Sequence, residues 1–234
     1  MAEGSHTTHE EHHRALVERL AANLRPVRRL WPVRIRFGLW LILQTAVLAW
    51  VGTHTHNDFM RKLEAPRYML EVALFGGAAI VAAIIALRSA IPGRQVRAGE
   101  LAFVLAPVLA GIGLVFTEPL RTEYPLTEFI LTGLSCAYQT CLLAAAPCIA
   151  LWWAVKRGAP MRGATAGLAA GAAAALFSFA MMRIGCPIDE RLHLLTWHLI
   201  PALMVAALSA LAGAFWLRFR PRVGPQNSET MKEF

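Results

Sequence analysis

The sequence has little with which to do chemistry in water. Only 16% of its residues are charged, and Tyr and Cys number 3 and 4 among 234. No P-loop, dinucleotide fingerprint or nucleophile elbow occurs, which argues against the common nucleotide-dependent and hydrolytic chemistries, and the one HExxH string, "HEEHH" at 9 to 13, falls in the polar leader. A CxxC motif is also missing, and with it the usual signature of a dithiol oxidoreductase. The connections "IPGR" at 91 to 94, "KRGAPMRG" at 156 to 163 and "GCPIDE" at 185 to 190 are turns, too short to hold a soluble catalytic domain. Function therefore falls to the apolar segments and their ends, and the protein is not expected to be an enzyme or to need a cofactor.

Apolar residues are what the chain has in abundance. At 56% hydrophobic and a mean hydropathy of +0.47, it exceeds the roughly half-apolar composition of soluble domains. Six runs approach or reach the ~20 residues that a spanning helix needs. They cover residues 37 to 53, 68 to 90, 101 to 117, 131 to 155, 164 to 182 and 194 to 217. The predicted fold class is all-α: a polytopic membrane protein with a six-helix transmembrane domain at 37 to 217. A cytoplasmic segment, 1 to 36, precedes it and a cytoplasmic tail, 218 to 234, follows. The first run comes after a basic stretch without a small-residue cleavage site, so it is expected to remain as an anchor.

Orientation follows from the basic residues. Lys and Arg crowd 14 to 36, 88 to 97, 156 to 162 and 218 to 232, all on one side of a six-span weave. The other side holds Arg61, Lys62, Arg67, Arg121, Arg183 and Arg191. By the positive-inside rule both termini are cytoplasmic and the membrane is the cell inner membrane. The net charge of +8 does not imply nucleic acid, because its densest cluster, "RPVRRLWPVRIR" at 25 to 36, abuts the first span, where an anionic lipid surface accounts for it.

Within the leading segment, Leu16, Val17, Leu20 and Leu24 recur at helical spacing until Pro26 stops the pattern. A short amphipathic helix of this kind is marginal alone in water. Its apolar stripe calls for a cover, either the bilayer surface or the groove of a cytoplasmic protein. His6, His9, His12 and His13 ahead of it read as a solvated tail. In the fifth span, Gly163, Gly167 and Gly171 repeat every four residues, a face that lets helices approach closely. Glu71, after Pro66 and Arg67, reads first as a carboxylate favoured by a helix N-terminus and second as a binding or proton-path residue.

The topology sorts the four cysteines. Cys136 lies about 20 residues before Lys156, or about 30 Å at 1.5 Å per residue, which puts it at the outer boundary beside the loop residue Cys186. Cys141 is deeper and Cys148 near mid-membrane, and both read as packing residues. In an oxidising compartment such as a Gram-negative periplasm, Cys136 and Cys186 form a disulfide where their Cα atoms come within about 7 Å. A redox switch, or a soft-metal thiol site helped by His193 and His198, are the alternatives, and simple packing stays open for Cys136. An exposed loop thiol such as Cys186 is usually paired or used.

Several stretches carry a family resemblance: "LAANLRPVRRL" (20 to 30), "APRYMLEVAL" (65 to 74), "ALRSAIPGR" (86 to 94), "WWAVKRGAP" (152 to 160) and "GCPIDERLHLLTWH" (185 to 198). In this order, over about residues 14 to 220, the chain resembles the NrsF-type anti-sigma factors, negative regulators of extracytoplasmic-function sigma factors. The resemblance implies six spans, a cytoplasmic N-terminal segment that holds a sigma factor at the membrane, and two outer cysteines used in signalling. The family's cysteine ahead of the fourth-span proline falls on Cys136, before Pro147, and its Cys-Pro cysteine falls on Cys186. The His-rich leader and Cys141 are departures from the pattern. The sigma factor is then expected to engage Leu16, Val17, Leu20, Leu24, Arg25, Val27, Arg28 and Arg29, with no direct contact to nucleic acid. The rivals are a small membrane thiol oxidoreductase and a metal or solute transporter. A transporter needs more polar groups in its spans than Glu71, Gln139 and His198.

Overall fold

The structure, a computed structural model, describes residues 13–19, 21–22, 30–54, 58–120 and 125–217. The chain divides into a unit of residues 1–30 and a unit of residues 31–234. In the first, residues 13–19 and 21–22 are helical, with Leu16 and Val17 exposed. Leu20, Leu24, Arg25, Val27, Arg28 and Arg29, like the tail from 218, lie outside the described residues.

The second unit is a helical bundle. Its elements are α1 (Val33–His54), the short α2 (Asp58–Glu64), α3 (Pro66–Ser89), α4 (Ala98–Val115), α5 (Leu126–Lys156), α6 (Gly163–Gly185) and α7 (Arg191–Trp216). Among the described residues, all but α2 are long and apolar enough to cross a membrane, six in all, and no strand occurs. Proline sets several boundaries: Pro66 opens α3 at a position where the missing N–H costs nothing, and Pro125 precedes α5.

Helix α6 is the centre. It packs against α3, α5 and α7, while α4 lies on α3. Its composition explains the place: Ala166, Ala170, Ala173, Ala174 and Ala180 are fully buried, and α3 answers with Ala78, Ala82, Ala83 and Ala86. Small side chains on both faces let backbones close in, the usual basis of helix association in a bilayer. The glycine repeat is part of this. A Cβ on Gly163 would come within 2.3 Å of the Gly213 carbonyl oxygen, and one on Gly167 within 2.3 Å of the Ser209 carbonyl oxygen. Many large apolar residues face outward instead, Phe103, Leu109, Ile149 and Phe215 among them, as lipid contact requires.

Helix α5, at 31 residues, begins earlier than its apolar run alone indicates, because "LTEFI" contains no breaker and Pro125 is the first stop. Cys136 is consequently well inside the helix and not at its end. At about 46 Å by helical rise, α5 exceeds the hydrocarbon core by some turns.

Candidate functional site

At the end of the bundle where α3 and α7 begin and α6 ends, charged side chains converge. Arg183, 1% exposed, spends its whole guanidinium on carboxylates: Nε donates to Glu71, Nη1 to Asp189 at 3.0 Å and Nη2 to Glu118 at 2.9 Å. Arg67 reaches Glu118 at 3.0 Å and Glu71 at 3.3 Å, and Lys62 reaches Asp189 at 3.0 Å. Tyr68 donates its hydroxyl to the second Asp189 oxygen at 2.8 Å. Three cations and three carboxylates balance, so the set, buried except at Arg67 and Asp189, is neutral, which is the condition for its being tolerable here. Glu71 thus does not serve as a helix cap: it lies beyond the first turn of α3, is 0% exposed, and acts as an anchor for Arg183. The sequence alone singles out Glu71 without its partner and does not point to Glu118 or Asp189. The available signal was that Glu71 and Arg183 belong to the same end of their respective spans.

This network holds the 186–190 turn. The ammonium of Lys62 donates to the backbone carbonyl of Cys186, Asp189 is gripped by Arg183 and Lys62, and Arg191 donates through Nε and Nη2 to the Glu118 carbonyl at 3.2 and 2.9 Å. The turn therefore folds inward, and Cys186 is 3% exposed, buried and not the exposed loop thiol its sequence position suggests. Its Sγ lies 3.7 Å from Sγ of Cys136, which is also buried, and both cysteines are free thiols. The hydrogen bond to Cys136 and burial push the Cys186 thiol above its ordinary pKa. Cys141 is exposed on the bundle surface, and Cys148 lies 3.9 Å from the Ser209 hydroxyl.

Both histidines flagged from the sequence face the thiols. His193 Nε2 is 3.6 Å from Cys186 Sγ, and the ring centroids of His193 and His198 are 5.2 Å apart. Five residues of regular α-helix would turn the two rings about 140° apart. A π turn at Leu195–Leu199 narrows that offset, closed by a bond from Ile200 N–H to the Leu195 carbonyl. Its cause is local: Pro201 has no N–H for the Trp197 carbonyl and its ring crowds that group, which widens the preceding turn. One ligand atom from each of Cys136, Cys186, His193 and His198 falls within 4.8 Å of all the others, and all four residues are buried. Two sulfurs and two imidazole nitrogens suit a soft or borderline cation, not oxygen-seeking Mg2+ or Ca2+.

At the other end of the bundle, Arg36 near the start of α1 donates to the Ala154 carbonyl at 3.2 Å and the Leu87 carbonyl at 3.5 Å. These are among the last carbonyls of α5 and α3, where a cation is favoured. Glu71 and Leu87 stand about 24 Å apart along α3 at 1.5 Å per residue, so Arg36 and the thiols occupy opposite ends.

Fold and site define a multi-pass helical membrane protein with a buried thiol pair at one end and a cationic latch at the other. A family model described as Negative regulator of sigma F matches residues 20–219. The chain belongs to that family, NrsF, a family of anti-sigma factors that is regulatory and not enzymatic and whose partner is a sigma factor. No match is found among curated proteins or among solved structures.

Proposed function

We propose that the protein sequesters an extracytoplasmic-function sigma factor at the cell inner membrane and releases it when an oxidant or soft metal acts on Cys136 and Cys186. Both termini are cytoplasmic. Residues 1 to 36 hold the sigma factor, 37 to 217 form the membrane domain, and 218 to 234 are a tail. Leu16, Val17, Leu20 and Leu24 give the partner an apolar stripe, and Arg25, Val27, Arg28 and Arg29 extend it with charge, contacts that weaken with salt. The exposure of Leu16 and Val17 supports this placement.

The observation that carries the sensing half is the 3.7 Å approach of two buried thiols at the bundle end remote from Arg36. With hydrogen peroxide as oxidant, the two thiols lose two electrons and two protons, an S–S bond forms, the O–O bond breaks, and the hydrogen peroxide becomes two waters. The sulfurs have to close from 3.7 Å to bonding distance, which moves α5 against the 186–190 turn. Helix α5 carries Cys136 in its first half and the Ala154 carbonyl near its far end, and Arg36 ties that carbonyl to the helix that continues the N-terminal segment. A shift of α5 therefore reaches the latch, and a two-position latch is the kind of element a redox signal can bias.

The test is to solubilise the protein from its host in mild detergent and identify co-purifying proteins by mass spectrometry, with and without residues 1 to 36. A sigma factor present with the full chain and lost on truncation is the expected result. Absence of any sigma factor under both reducing and oxidising conditions would remove the sequestration reading for this chain.

A further inference from the structure

We infer that Cys136, Cys186, His193 and His198 form a four-coordinate site for Zn2+, held by the resting protein. This inference rests on the reading of the thiol pair as the signal-receiving end, and it assigns that end a resident ion.

Three observations converge. The first is distance. A tetrahedral site with Zn–S of about 2.3 Å and Zn–N of about 2.0–2.1 Å has an S–S edge of about 3.8 Å and an S–N edge of about 3.6 Å. The thiols here stand 3.7 Å apart, and Cys186 Sγ stands 3.6 Å from His193 Nε2. The second is His198. It is 0% exposed, neither ring nitrogen makes a hydrogen bond among the described residues, and its ring lies beside that of His193. A buried imidazole with two unsatisfied nitrogens is costly, and a metal bond answers the need of one of them. The third is the π turn, a local departure from α-helix that brings His198 to the face of His193. Such bulges are frequent at functional sites.

Charge and donor type narrow the ion. Two thiolates neutralise a dication, and the imidazoles bind neutral, so the loaded site adds no net charge to a buried region already balanced by its ion pairs. The carboxylates of Glu71, Glu118 and Asp189 are engaged by Arg183, Arg67 and Lys62, leaving sulfur and nitrogen as the donors offered. Four protein ligands close the coordination sphere, the arrangement of a structural or regulatory zinc and not of a catalytic one with an open position. The ion would tie α5 to the start of α7, across the same contact that oxidation alters.

The experiment uses the full chain in mild detergent, purified on a tag without histidine and with His6, His9, His12 and His13 changed to Ala so that the leader takes no metal. Zinc content is measured by mass spectrometry, and Co2+ is exchanged in as a spectroscopic probe. The expected result is one equivalent of zinc, with intense tetrahedral d–d bands and sulfur-to-cobalt charge transfer after exchange. His193→Ala, His198→Ala and Cys186→Ser should each weaken Zn2+ binding by more than the roughly 10- to 100-fold that loss of an outer hydrogen-bond partner costs. Cys141→Ser should leave it unchanged, and excess Mg2+ should not compete. His198→Cys preserves a fourth ligand and guards against misfolding: the folded variant should bind Co2+ with added charge-transfer intensity. Less than stoichiometric zinc in every preparation and no tetrahedral cobalt spectrum would overturn the inference. So would binding indifferent to both histidines, or a folded His198→Cys chain that binds none. Sigma-factor capture by the same samples separates the two readings. Metal held by all four ligands with capture independent of them leaves the site and removes the sensing role. No metal, with release still dependent on Cys136, does the reverse.

Discussion

Arg183 at the end of α6 and Glu71 in α3 form an ion pair in which neither side chain reaches solvent, 112 residues apart in sequence. The pair fixes where α6 stops and hence where the Cys186 turn begins. Removing the cation leaves the buried carboxylates of Glu71 and Glu118 to share Arg67 alone, so Arg183→Met is expected to destabilise the bundle by about 3–5 kcal/mol. Glu71→Gln, which leaves Arg183 two other carboxylates, should cost less. Thermal unfolding in detergent, followed by tryptophan fluorescence, ranks the two.

Close backbone approach between α6 and α7 makes a sharper contrast. A Cβ at Gly167 would press on the Ser209 carbonyl oxygen at 2.3 Å, while one at Gly76 in α3 meets nothing within 4 Å. Gly167→Ala should destabilise by about 1–3 kcal/mol through forced separation of the helices. Gly76→Ala should be neutral or slightly stabilising, since Ala is the better helix former by about 0.5–1 kcal/mol. The same fluorescence melt checks both.

Proximity also dictates which thiols pair. Treatment with a peroxide should give an intramolecular Cys136–Cys186 disulfide in the otherwise wild-type chain, mapped by non-reducing peptide mass spectrometry. Cys141→Ser should not change it, because Cys141 is exposed and the five-residue step from Cys136 turns it about 140° round the helix from that buried thiol. A product dominated by Cys141–Cys186 linkage would contradict the geometry.

Loss of the latch should mimic the signal. Arg36→Gln removes the cation from the Ala154 and Leu87 carbonyls without touching the thiols. The expected outcome is raised sigma-dependent transcription in unstressed cells and little further rise on oxidation. A reporter at a promoter of that sigma factor measures it.

Much of the architecture was legible because membrane spans advertise themselves by length and hydropathy, and because Gly163, Gly167 and Gly171 share a helical face. Cys136 was singled out by depth alone. What periodicity could not reach were contacts fixed by three-dimensional packing. Lys62 covers Cys186 from 124 residues away, and Glu71 finds Arg183 across two spans. The burial of Cys186 followed from those contacts and not from its loop position. His193 and His198 were visible as neighbours, but a spacing of five points them apart in an ideal helix. Their convergence depends on the turn that Pro201 widens, a backbone event with no hydropathy signature.

The most direct test of the account joins its two ends. The protein with its sigma factor bound, reconstituted in lipid nanodiscs, is exposed to peroxide and the released sigma factor is measured, for the wild-type chain and for Cys136→Ser and Cys186→Ser. The account predicts release from the wild-type chain, restoration of binding by a thiol reductant, and no release from either serine variant that still binds the sigma factor at rest. Equal release from all three would contradict it, because the signal would then bypass the thiol pair.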